Sequence, residues 1–187
     1  MRVIWSLGIA LLAGIGQAQE CSVAVKVSNP AAVPAAALVK AKAVASGIFA
    51  GIGVDLRWDG KRTGDAGTCL TRIEVRLGTA SGPDERPDSL AYTTVGMEAD
   101  RRIHIFVDRV NAMVARTGTG MLLGHVLAHE IAHVLEGMAR HSESGVMKAH
   151  WGRKDLRALL WHPLRFEAVD GALIRAGLRA ETAGAND

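Results

Sequence analysis

The 187-residue chain predicts an α+β fold: a small twisted sheet, a long helix, a second helix carrying a His-Glu motif, and a short C-terminal helical lobe. Three observations predict it. Apolar residues alternate at Val23-Val25-Val27 and at Ile103-Ile105-Val107, the period-2 signature of strands. Apolar spacing changes to the helical period after Pro34 and again from Met121 to Leu135. Strands lie before the second of these helices and only helical stretches lie after it, an α+β order.

The elements follow in turn. Met1-Arg2 is a short positive start, Val3 to Ile15 is apolar, and Gly16-Gln17-Ala18 offers small residues at a cleavage site. Residues 1–18 therefore read as a Sec-type signal peptide, and the protein as secreted or periplasmic. The alternative, an N-terminal membrane anchor, needs a longer apolar stretch. Ser22 to Ser28 is the first strand and Asn29-Pro30 a turn. Pro34 to Gly51 is a helix built on Leu38, Ala41, Ala45 and Ile48. Val54 to Trp58 is a strand, 59–67 a polar loop, and Leu70 to Leu77 a third strand. A Gly- and Pro-containing loop over 78–88 leads to a strand at Ser89–Val95. Arg102 to Val107 is the fifth strand, and Asp108 to Arg116 a short helix. Thr117 to Gly137 is the motif helix, capped by its Thr-Gly-Thr-Gly start and stopped by Gly137. Helical stretches at Arg153–Leu160 and Leu164–Leu178 close a single domain over residues 19–181, with 182–187 a frayed tail.

Composition narrows the function. Apolar residues make up 49%, enough for a core. Loss of Arg2 with the leader leaves 21 Lys and Arg against 19 Asp and Glu, a mature charge of +2. Basic residues form no run longer than a pair, and aromatics are only 4%, so a nucleic-acid partner is excluded. No other apolar run reaches membrane-spanning length, so no membrane contact is expected after signal removal. Two cysteines in an exported chain predict a Cys21–Cys69 disulfide. The alternative is Cys21 as a latency ligand on a metal.

The chemistry is concentrated at His129-Glu130-Ile131-Ala132-His133, an H-E-x-x-H motif on a predicted helix. Residues four apart share a helix face, so His129 and His133 can both reach one Zn²⁺. Glu130 is one step round the helix, beside the metal rather than on it. It is placed to take a proton from zinc-bound water, whose pKa the metal lowers to roughly 7. A catalytic zinc takes three protein ligands and keeps one position open. His141, just past Gly137, is the leading third ligand. Glu167, in Glu167-x-x-Asp170, is its rival, with His150 and Glu143 behind. His125 reads as a packed residue a turn above the site, and Glu136 as solvent-facing at the helix end. Trp151, Trp161 and Phe166 read as core of the C-terminal lobe, and Asp108 and Arg109 as a local pair.

H-E-x-x-H, a glycine, a third His, and Met147 in Ser144-Gly145-Val146-Met147 together resemble the metzincin clan of zinc endopeptidases. The resemblance covers Ser22 to Met147. The chain is also similar to small exported bacterial proteins with an H-E-x-x-H-x-L-x-G-x-x-x-H-S-x-x-G-x-M-x-x-x-W pattern, matched through Ser142, Gly145 and Trp151. The resemblance implies a zincin-like fold, one zinc per chain held by His129, His133 and His141, and Glu130 as general base. It also implies Met147 as a packing floor, Ser89–Val95 as the edge strand that pairs with an extended substrate, and a peptide or protein substrate. Against the usual metzincin spacing, Gly137 is one residue late and His141 two. The tyrosine that follows the Met-turn in some metzincins has no counterpart, since Tyr92 is the only tyrosine. The expected activity is zinc-dependent peptide-bond hydrolysis. The alternative is an exported zinc-binding domain with a structural or interaction role.

Overall fold

The computed structural model describes residues 21–59, 70–80, 89–94, 101–113, 118–159 and 161–184. The expected leader, Cys69 and its bridge to Cys21, and most of the 59–67 loop lie outside these residues. The described elements run β1 (Cys21–Ser28), α1 (Ala35–Ala50), β2 (Val54–Trp58), β3 (Leu70–Gly78), β4 (Ala91–Thr94) and β5 (Arg102–Phe106). Then come α2 (Val107–Met113), α3 (Thr119–Glu136), α4 (Arg153–Ala158) and α5 (Ala168–Gly184). This is the expected α+β arrangement, with a mixed five-stranded sheet of order β2-β1-β3-β5-β4.

Strands β2, β1, β3 and β5 are parallel neighbours, and β4 runs antiparallel to β5 at one edge. Parallel sheets usually bury both faces and read as continuous apolar runs. Here the strands alternate instead. Val23, Val25, Ile73, Val75, Ile103 and Ile105 are buried, while Lys26, Arg72, Glu74 and Arg76 are exposed between them. One face therefore carries the core and the other faces water, where Lys26 and Glu74 meet across β1 and β3 at 3.5 Å. In β3 the inward position before Ile73 is Thr71, whose hydroxyl is bonded to Glu181 of α5.

Helices α1 and α3 pack against each other beside the sheet. Glycine makes this contact possible. A Cβ on Gly124 would lie 2.6 Å from the Val44 Cβ and 2.7 Å from the Ala41 carbonyl oxygen, and one on Gly120 would lie 2.7 Å from the Ala37 oxygen. Since backbone cannot yield as a side chain can, Gly124→Ala is expected to destabilise the fold by about 1–3 kcal/mol, as over-packed cores do. Urea unfolding of the two proteins reads this directly.

Several boundaries differ from expectation for visible reasons. Helix α2 begins at Val107, which the alternation had placed in β5. No side chain caps α3: its N-cap is Gly118 at φ 75°, and the Thr119 hydroxyl donates to Asn111 instead. Helix α5 starts at Ala168 rather than Leu164 and extends through Gly184, so 182–184 are helical rather than frayed. Asp108 and Arg109 do not pair: Asp108 accepts the Ala80 N–H, and Arg109 donates to the Ser89 carbonyl and lies over the Phe106 ring. Phe166 packs edge-on against Phe49 at 4.9 Å, but Trp161 is 80% exposed and belongs to no core. Among the described residues, no helix is long and apolar enough to cross a membrane.

Candidate metal centre

Helix α3 is apolar almost all round. Leu122, Leu123, Leu127, Ile131 and Leu135 are fully buried, the pattern of a core helix. Polar side chains on such a helix need fixed partners, and its histidines have them. His125 is fully buried; its Nδ1 donates to the Met121 carbonyl and its Nε2 accepts the Leu164 N–H at 3.0 Å. Both ring nitrogens are thus spent, Nδ1 within α3 and Nε2 on the chain after α4, and His125 is a packed residue as the sequence implied.

His129 and His133 differ in one respect. Each uses only Nδ1: His129 donates to the Val146 carbonyl at 2.9 Å, and His133 to the Met138 carbonyl at 3.2 Å. A carbonyl only accepts, so both Nδ1 atoms carry the proton and both Nε2 atoms present lone pairs. Those two Nε2 atoms stand 3.0 Å apart. Two lone pairs at that distance repel unless a cation sits between them. Nitrogens on one tetrahedral zinc, each at about 2.0–2.1 Å, are about 3.3 Å apart. Burial, then the adjacent His129, hold His133 at about 4, and burial likewise pushes His129 down. Both rings are therefore neutral at pH 7, the state a metal ligand requires.

Helix α3 ends at Gly137, whose φ of 66° lies in the left-handed region that favours glycine. The chain turns back and brings His141 over the pair, its ring 5.3 Å from His129 and 5.0 Å from His133. One ligand atom from each of the three histidines lies within 4.8 Å of the other two, close enough to hold a metal ion. The two-residue departure from the usual spacing is absorbed by the loop. Among the described residues, no other set of His, Cys, Asp and Glu converges in this way. Glu167, the rival ligand, instead accepts the Ser144 hydroxyl, and Glu143 is exposed.

Glu130 is half-buried beside the cluster, and the Thr93 hydroxyl of edge strand β4 donates to its Oε2 at 2.6 Å. The cluster opens into a cavity of about 630 Å³. Leu90 to Thr93 line part of it, and Lys148, His150 and Trp151 another part. Trp151 thus packs against the core, as expected, and also forms part of the cavity wall. Met147 is fully buried in the turn, as a packing residue should be.

Glu136 departs furthest from its expected place. Its side chain is wholly buried, and its carboxylate has no hydrogen-bond partner among the described residues; the Arg140 Nε is 3.9 Å away. Burial raises its pKa from 4.5 to about 7, with Arg140 opposing and Asp170 adding to the rise. The folded state then holds a proton that the unfolded state has lost, so this group's contribution weakens as pH rises from about 4.5 to 7. Glu136→Gln is expected to gain stability over wild type across that window, by about 3 kcal/mol at pH 8 and nothing at pH 4. Chemical unfolding of both proteins at the two pH values measures the difference.

The sequence does not reveal the Val146 and Met138 carbonyls, Thr93, or the contacts Asp170 makes with Arg140 and Ser142. Backbone acceptors carry no residue signature, and Thr93 acts across the fold. The chain matches no family profile and no curated protein sequence.

Proposed function

We propose that this protein is an exported zinc-dependent peptidase of metzincin type that cleaves a peptide or protein substrate. One observation carries the reading: three histidine donors converge beside a carboxylate in an open cavity that borders a sheet edge. A purely structural zinc is usually closed by four protein ligands and needs no base. His129, His133 and His141 would hold the ion. When bound, zinc polarises a carbonyl and acidifies water. Glu130 accepts a proton from the attacking water and returns it to the leaving amine. Thr93 donates to one carboxylate oxygen and so helps hold the Glu130 side chain beside the cluster. Edge strand β4 offers backbone groups to an extended substrate.

The test is cleavage of a diverse peptide library by the mature chain, before chelation, after chelation, and after Zn²⁺ is restored. Cleavage that is lost and regained with the metal supports the reading, and the cut sites define specificity. Stoichiometric zinc without cleavage would mark a zinc-stabilised interaction domain instead.

A further inference from the structure

Glu167, in Glu167-x-x-Asp170, is the rival third ligand by sequence, and the structure gives this segment different work. Asp170 is fully buried at the start of α5. Its Oδ2 accepts the Glu167 N–H at 2.9 Å, which helps cap that helix. Its Oδ1 accepts the Ser142 hydroxyl at 2.5 Å and also the Arg140 guanidinium. Arg140 and Ser142 are the two residues on either side of His141.

The rest of the loop is tied to the same place. The Ser144 hydroxyl donates to Glu167, and the Val146 N–H donates to the Arg165 carbonyl at 2.9 Å. The Val146 carbonyl in turn orients His129. The His141 ring is exposed and makes no hydrogen bond among the described residues. Its position is therefore set through its backbone, by its neighbours.

We propose that Asp170 is a positioning residue for the metal: it holds both flanks of His141 and so sets the affinity of the three-histidine cluster. The inference rests on the metal-binding half of the proposed function and is independent of peptidase chemistry. By reciprocity, metal bound at His141 tightens the docking of α5.

The test is a double-mutant cycle on the full mature chain, with Co²⁺ as the probe metal and its visible spectrum as the readout. Asp170→Asn keeps the volume but loses the charge that holds Arg140. It is expected to lower Co²⁺ affinity by about 10-fold, in the range seen for residues that orient ligands, and to change the Co²⁺ band. In a His141→Ala background the same substitution is expected to have no further effect, because the ligand it positions is gone. An equal loss in both backgrounds, or a fall in Tm with affinity and spectrum unchanged, would overturn the proposal. If Asp170→Asn does not fold, Ser142→Ala runs the same cycle with the same two outcomes. A wild-type chain that takes up no Co²⁺ would sink the metal reading itself, and this proposal with it.

Discussion

Glu130→Gln is expected to lower peptide turnover by about 10²–10⁴-fold, the range that general acid–base groups supply, while the chain still binds one metal ion. The substitution is close to isosteric. The Thr93 hydroxyl, 2.6 Å from Oε2, can still donate to the amide oxygen of Gln, so the side chain stays in place. What disappears is the proton acceptor. Glu130→Asp, which keeps the acceptor but draws it back by one methylene, should fall between the two. The measurement is kcat and KM on a single cut peptide, alongside metal content by mass spectrometry. A Gln variant within threefold of wild type would remove Glu130 from the chemistry. Loss of metal together with activity would make its role one of site integrity rather than proton transfer.

The sequence was legible where one local pattern decided the outcome. Val54–Trp58 was read with its true bounds because Val54 and Leu56 alternate with exposed residues over a short run. The helix bearing His129 and His133 was read because its apolar residues surround it and Gly137 ends it. Reading failed where distant groups compete for the same backbone. The helical stretch expected over Leu164–Leu178 starts too early, because the Leu164 N–H goes to His125 and the Arg165 carbonyl accepts from Val146. Backbone spent on α3 and the Val146 turn cannot also close a helical turn, so α5 begins at Ala168. The Glu-x-x-Asp spacing at its start is a helix-start signal, with Asp170 accepting the Glu167 N–H, as well as a candidate ligand motif. Glu136 was misplaced for a related reason: α5 lies against the end of α3 so closely that a Cβ on Gly177 would overlap the Leu135 carbonyl. Only the tertiary contact reveals that the last turn of α3 is covered.

His129→Ala and His125→Ala should separate the metal site from the core that supports it. The residues are four apart on one helix, both nearly or fully buried, and both held low in pKa by burial. Their hydrogen bonding makes them differ. His125 uses both ring nitrogens within the protein, so its loss leaves the Leu164 N–H without its acceptor, at a cost of about 1–3 kcal/mol. Metal affinity should then change little. His129 keeps Nε2 free toward His133 and His141, and its Nδ1 proton is fixed by Val146, so its lone pair is already aimed. Four-ligand zinc sites in finger peptides bind with about 10–16 kcal/mol, or about 2.5–4 kcal/mol per ligand. His129→Ala should therefore lower Zn²⁺ affinity by on the order of 10²–10³-fold. Competition with a chromogenic chelator measures affinity, and urea unfolding of the metal-free proteins measures stability. The decisive pattern is a crossed one: affinity lost at 129, and stability without affinity lost at 125. Equal affinity losses at both positions would mean that the cluster depends on helix integrity alone, and that its aimed nitrogens do not hold the ion.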